Sequence, residues 1–142
     1  MHKNNFEGFQ MIGLFKLKNK KSTVPIQKDE WPEYVVSLNH SSFNDFINKY
    51  PLSVIDFWAP WCGPCKTMLP RLRRLGQLYV RKVAFGRLNT QEEKDIAKQY
   101  NIMGIPHFGF FHYGKKIGSA MGLKSVGDMK KLIDTYILKI KK

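Results

Sequence analysis

From Tyr34 onward, short apolar runs alternate with segments whose apolar residues recur every three or four positions. Tyr34-Val35-Val36-Ser37-Leu38 reads as a strand. Ser41 or Ser42 is placed to cap a helix with Phe43, Phe46, Ile47 and Tyr50 on one face, and Pro51 ends it. Leu52 to Trp58 is nearly all apolar, as a buried central strand is. A helix is predicted from about Cys62 to Val80, with Met68, Leu69, Leu72, Leu75 and Leu78 inward and Pro70 kinking its axis. Val83 to Leu88 is the next strand. Thr90-Gln91-Glu92-Glu93 has capping-box spacing and opens a short helix that buries Ile96, Ala97 and Tyr100. Phe108 to Tyr113 is a strand that turns at Gly114-Lys115 into a hairpin partner, Lys116 to Ala120. Ser125 caps a last helix with Val126, Met129, Ile133, Tyr136 or Ile137, and Ile140 on one face.

The order is strand-helix-strand-helix-strand-helix-strand-strand-helix, an α/β pattern. Alternation predicts parallel pairing, and the hairpin adds an antiparallel edge. Residues 1–33 differ from the rest and form a basic extension or arm; residues 34–142 form the domain. The arm carries Lys16-Leu17-Lys18-Asn19-Lys20-Lys21 and the short patch Phe9-Gln10-Met11-Ile12-Gly13-Leu14-Phe15. That patch suits a packed strand, a sticky arm or a membrane-surface segment, and an arm ordered against the domain is the preferred reading.

The 142 residues carry 24 Lys and Arg against 11 Asp and Glu. A solvated Lys-rich surface accounts for this; acidic partners, nucleic acid or an anionic membrane face are the sharper alternatives. No RNA-binding signature or helix-turn-helix pattern accompanies the charge, so no specific nucleic acid is expected. No apolar run approaches the roughly 18–20 residues that cross a bilayer, and no signal-like apolar stretch opens the chain. A cytoplasmic, reducing location is therefore expected.

The only two cysteines stand in Trp61-Cys62-Gly63-Pro64-Cys65-Lys66, between the second strand and the long helix. Two thiols one helical turn apart are able to close a small disulfide and reopen it. The partial positive charge of a helix N-terminus favours the thiolate of the first. A structural zinc ion needs about four ligands. With no second C-x-x-C or paired histidine spacing, no metal is expected. Asp56 is a carboxylate in an apolar strand, and burial raises the pKa of such a group.

Asp56-Phe57-Trp58-Ala59-Pro60-Trp61-Cys62-Gly63-Pro64-Cys65-Lys66 resembles the active-site motif of the thioredoxin family. Pro70, Gly104-Ile105-Pro106, Gly114 and Gly122 also fall where that family has its kinking proline, its cis-proline segment and its glycines. The resemblance covers about residues 34 to 140. It implies a thioredoxin fold, a central mixed sheet with helices on both faces. It implies reduction of disulfides in protein substrates, with no cofactor beyond a redox-active Cys62–Cys65 disulfide. Cys62, exposed at the helix start, is the attacking thiolate and the more buried Cys65 resolves the mixed disulfide. Gly63 and Pro64 shape the turn between them, and Asp56 exchanges a proton with Cys65 through water. Trp61, Gly63, Pro64, Ile105, Pro106 and Gly122 form the substrate groove, while Trp58 is core. Implied partners are disulfide-bearing proteins and a thioredoxin reductase, and a monomer is expected.

By the same resemblance, Gly-Pro between the cysteines, rather than Gly-His or Pro-His, implies the reducing direction. An oxidant or isomerase-like relative and a binding subunit indifferent to redox state are the alternatives. Two residues depart from the family pattern. Arg87 stands where the family often has Lys, and a permanent charge there is expected to hold Asp56 more ionised. His107 replaces the usual Thr after the cis-proline. It either shifts the thiolate energetics or binds acidic substrates, or it points away into a polar edge and does little. His112 reads as a solvent-face strand residue and His40 as a loop residue.

Overall fold

The structure, a computed structural model, describes residues 25–142. The Phe9–Phe15 patch and the Lys16–Lys21 run lie outside the described residues. The order of elements is β1 (Val36–Leu38), α1 (Phe43–Lys49), β2 (Ser53–Trp58), α2 (Gly63–Leu78), β3 (Ala84–Asn89), α3 (Lys94–Gln99), β4 (His107–His112), β5 (Lys115–Met121) and α4 (Val126–Ile140). One five-stranded sheet has the order β1-β3-β2-β4-β5. β2 is its middle strand and is buried along nearly its whole length, which is why Leu52 to Trp58 is apolar at all but Ser53 and Asp56.

Each sheet face carries its own core. Met68, Leu72, Leu75 and Tyr79 of the α2 side and Met129 and Ile133 of α4 close over Val54, Phe85, Phe108 and Phe110. On the other face Phe43, Phe46 and Ile47 of α1 and Ile96 of α3 cover Ile55, Phe57, Leu88 and Phe111. Each of these large side chains, when fully buried, contributes roughly 1.5–3 kcal/mol. Ile26 and Trp31 pack against the second cluster. The Trp31 ring lies 5.0 Å from that of Tyr50, whose hydroxyl donates to the Glu30 carbonyl at 3.0 Å. The last residues ascribed to the arm are thus docked on the domain.

The sheet is mixed, but not in the way simple alternation predicts. β1 and β2 both run parallel to β3, whereas β4 is antiparallel to β2 as well as to β5. The chain leaving β3 never crosses back over the sheet. The Thr90 amide bonds the Trp58 carbonyl at 2.8 Å, and β4 enters with His107 opposite Phe57, at the same edge.

Local details also differ. The Thr90–Glu93 capping box does not form; Glu93 is the N-cap of α3 without a side-chain bond. Asn89 organises that turn instead, accepting from the Gln91 amide on its side chain and from Glu92 and Glu93 on its carbonyl. At α1 the capping side chain is that of Asn39, which accepts from the Ser41 and Ser42 amides. Leu78 is exposed rather than inward. Successive helical residues lie ~100° apart, so the stripe through Met68, Leu72, Leu75 and Tyr79 leaves Leu78 to one side. The hairpin turns at Tyr113-Gly114, one residue earlier than expected.

Candidate active site at the start of α2

β2 delivers the chain to the sheet edge at Trp58, and a turn closed by the Cys62 amide on the Ala59 carbonyl (3.1 Å) leads into α2. Cys62 is the N-cap residue, with extended backbone angles (φ −90°, ψ 110°). Its sulfur accepts the Cys65 amide at 3.2 Å. An orphan N–H at the helix start therefore points at the first sulfur, where it stabilises negative charge. Gly63 and Pro64 form the first turn, Pro64 at a position where its missing N–H costs no helical bond. Cys62 and Cys65 are joined as a disulfide with Cα atoms 5.3 Å apart.

In this state Cys62 is only 4% exposed, so the expected exposed sulfur is not found. Its sulfur is tied inward to Cys65, which is fully buried. What the edge shows to solvent is Trp61, 72% exposed, with Gly63 and Pro64. Ile105–Pro106 is a cis peptide bond. The antiparallel register sets His107 opposite Phe57, so Pro106 comes level with Trp58 and the loop leading to Cys62. Gly122, with φ +85°, donates its N–H to the Pro106 carbonyl at 2.8 Å. Pro106 is itself buried, and Ile105 and Gly122 are half-buried.

Asp56 is completely buried on the α2 side of the sheet. Arg87 is directly across from it on β3 and donates Nε–H to Oδ2 at 3.1 Å. The Arg87 guanidinium also lies over the Trp58 ring, 4.1 Å from its centre. Trp58 is therefore a half-buried platform for a cation rather than core filling. Burial pushes the Asp56 carboxyl up to about 6, against the lowering effects of the Arg87 charge and hydrogen bond. Oδ1 has no hydrogen-bond partner in the protein. A buried, half-satisfied carboxylate titrating near neutrality is suited to taking and returning a proton.

His107 is buried rather than turned into a polar edge. Its ring packs edge-on against Phe57, on the sheet face opposite Asp56. Its Nε2 lies 3.2 Å from Lys116 Nζ. Burial first, and the Lys116 charge second, lower its pKa. His112 is not a solvent-face residue, since its Nδ1 lies 2.6 Å from the Pro51 carbonyl. Sequence reasoning also missed Met103, Met121 and Leu123, exposed apolar residues on the segments flanking Pro106 and Gly122. Among the described residues, no group of three or more His, Cys, Asp or Glu side chains is arranged to hold a metal ion.

Residues 34–135 match the family described as Thioredoxin. The chain is 38% identical over 117 residues to the chloroplastic thioredoxin M-type of Spinacia oleracea, covering 82% of this chain and 65% of that protein. It therefore spans less than two thirds of that relative's length. It is 31% identical to a thioredoxin of Buchnera aphidicola, covering 72% of this chain and 96% of the other. Among solved structures, oxidised mitochondrial thioredoxin 3 from Saccharomyces cerevisiae superposes with a TM-score of 0.65 at 35% identity, over 71% of this chain and 94% of that one.

Proposed function

The chain belongs to the thioredoxin family, and on that premise we propose that it is a protein thiol–disulfide oxidoreductase working in the reducing direction. The observation that carries this reading is the placement of Cys62 as the N-cap of α2, with the Cys65 amide on its sulfur and Cys65 as its disulfide partner. In the reduced protein the same amide and helix terminus favour the Cys62 thiolate over the thiol.

The Cys62 thiolate attacks one sulfur of a substrate disulfide. A mixed disulfide forms, the substrate S–S bond breaks, and the departing thiolate takes a proton from water. Cys65 then loses its proton toward Asp56 and attacks Cys62. The Cys62–Cys65 bond forms and the second substrate thiolate leaves. Two electrons have passed to the substrate, and a separate dithiol or flavin-linked reductase must return them. Arg87 is a positioning residue here, since it acts through Asp56, donating to Oδ2 and lowering that carboxyl's pKa against the effect of burial.

Trapping tests the assignment. The Cys65→Ser protein, incubated with a disulfide-bonded protein, is expected to accumulate a reductant-sensitive covalent adduct through Cys62. Cys62→Ser is expected to form none. Equal adducts from both variants, or adducts only through Cys65, would overturn the roles given.

A further inference from the structure

A second concavity lies at the sheet edge opposite the disulfide. Pro51, Tyr79, His112, Tyr113, Ile137 and Leu138 are among its walls, and its volume is about 760 Å³. β2 starts beside it and ends at Trp58, so the groove and the disulfide are separated by the length of the strand, roughly 17 Å at ~3.4 Å per residue.

This edge is basic, and among the described residues its cations are unpaired. Lys82 and Lys141 line the groove, and Arg81 and Lys142 are their chain neighbours. None of the four belongs to an ion pair among the described residues. Among the described residues the one carboxylate side chain lining the groove, Asp134, already accepts from the Tyr79 hydroxyl at 2.6 Å.

The same edge holds two of the three non-glycine residues with positive φ among those described. Arg81 (φ 63°) sits in a turn closed by the Lys82 and Val83 amides on the Tyr79 carbonyl. Tyr113 (φ 44°) opens the β4–β5 hairpin turn, with its amide on the Tyr50 carbonyl. A side chain on the following Gly114 would run into Asn48. L-residues avoid this region of backbone space unless their surroundings impose it. Exposed apolar side chains complete the edge. Leu138 is 64% exposed, and Leu78 at the end of α2 is 45% exposed.

Unpaired cations beside exposed leucines complement a phospholipid surface. Phosphates meet the cations there, and the headgroup–acyl boundary accepts Leu. We propose that this edge docks the protein on an anionic lipid membrane, leaving the disulfide at the far edge turned toward solvent. Lys82 and Lys141 take lipid phosphates, Arg81 and Lys142 add to the attraction, and Leu138 enters the interface. The docking is peripheral, since no helix among the described residues is long and apolar enough to cross a membrane. A nucleic-acid backbone would match the cations but leave Leu78 and Leu138 without an apolar partner.

The test is sedimentation of the full chain with phosphatidylcholine vesicles, with or without a third of phosphatidylglycerol, at low and high salt. Binding is expected only to the anionic vesicles and is expected to fall with salt. Lys82→Gln/Lys141→Gln is expected to weaken partition roughly thirtyfold, and Leu138→Gln to weaken it separately. Both variants are expected to keep wild-type reduction of a soluble disulfide protein, which also reports their folding. Failure to bind anionic vesicles overturns the proposal. So does binding that survives the double variant but is lost when Lys16, Lys18, Lys20 and Lys21 are neutralised, because lipid contact then belongs to the segment before Pro25. Binding of a duplex oligonucleotide but not of vesicles would assign the edge to nucleic acid. Sedimentation does not depend on the direction of the disulfide chemistry, so the two readings fail separately.

Discussion

Replacing Asp56 with Asn removes a buried carboxylate whose folded-state pKa is raised from 3.8 to about 6. The folded protein holds that proton more tightly than the unfolded chain does. The group therefore destabilises the fold progressively as pH rises from about 4 to about 6, and its effect is constant above that. At about 1.4 kcal/mol per pKa unit, the distance from 3.8 to about 6 amounts to ~3 kcal/mol. Asn has no such titration. Its own packing, and the Nε–H of Arg87 left without its Oδ2 acceptor, add an offset that does not change with pH. The assay is urea unfolding of the oxidised wild type and of Asp56→Asn, at intervals from about pH 3.5 to about pH 7.5. The stability of the variant minus that of the wild type is expected to climb by ~3 kcal/mol across that range. A difference that stays flat, or falls with rising pH, would refute the claim that burial outweighs the Arg87 ion pair.

Arg87→Lys is expected to raise the Asp56 pKa in a carboxyl NMR titration, because Lys has no planar guanidinium to lie over Trp58 while donating to Oδ2; an unchanged or lower value contradicts this. Ser125→Ala removes the oxygen that accepts the Asp128 amide at 3.0 Å at the start of α4, and denaturant unfolding is expected to show a loss of about 1 kcal/mol. Gly118→Ala drives a methyl group into the ring of Tyr136, which stacks on Phe110 with centres 4.4 Å apart. A cost of about 1–3 kcal/mol and an altered near-ultraviolet spectrum are expected, and a wild-type spectrum would show that the ring is free to move aside.

The positions of the elements were legible because burial leaves a mark on composition. Leu52 to Trp58 is apolar except at Ser53 and Asp56, since β2 is covered on both faces, and Met68, Leu72 and Leu75 repeat with the turn of α2. The chemistry was legible because Cys62 and Cys65 are close in sequence and one helix start fixes both. Features built across strands were harder to read. Alternation orders β3, α3 and β4 but does not say that β4 enters at the edge where β3 leaves. That Arg87 faces Asp56 follows from a register, and that its guanidinium lies over Trp58 follows from packing; neither is encoded locally. The groove at the far edge joins the ends of β2, α2, β4 and α4, four segments with no common motif. The burial of Cys62 escaped notice because it depends on where a closed disulfide turns its sulfur.

The central claim is that Cys62 and Cys65 form a reducing couple. Its most direct test is the equilibrium reduction potential of the pair against a dithiol of known potential, followed by the fluorescence of Trp58 and Trp61. A value below about −240 mV is predicted. A value above about −200 mV would contradict the reducing direction and place the protein among disulfide donors.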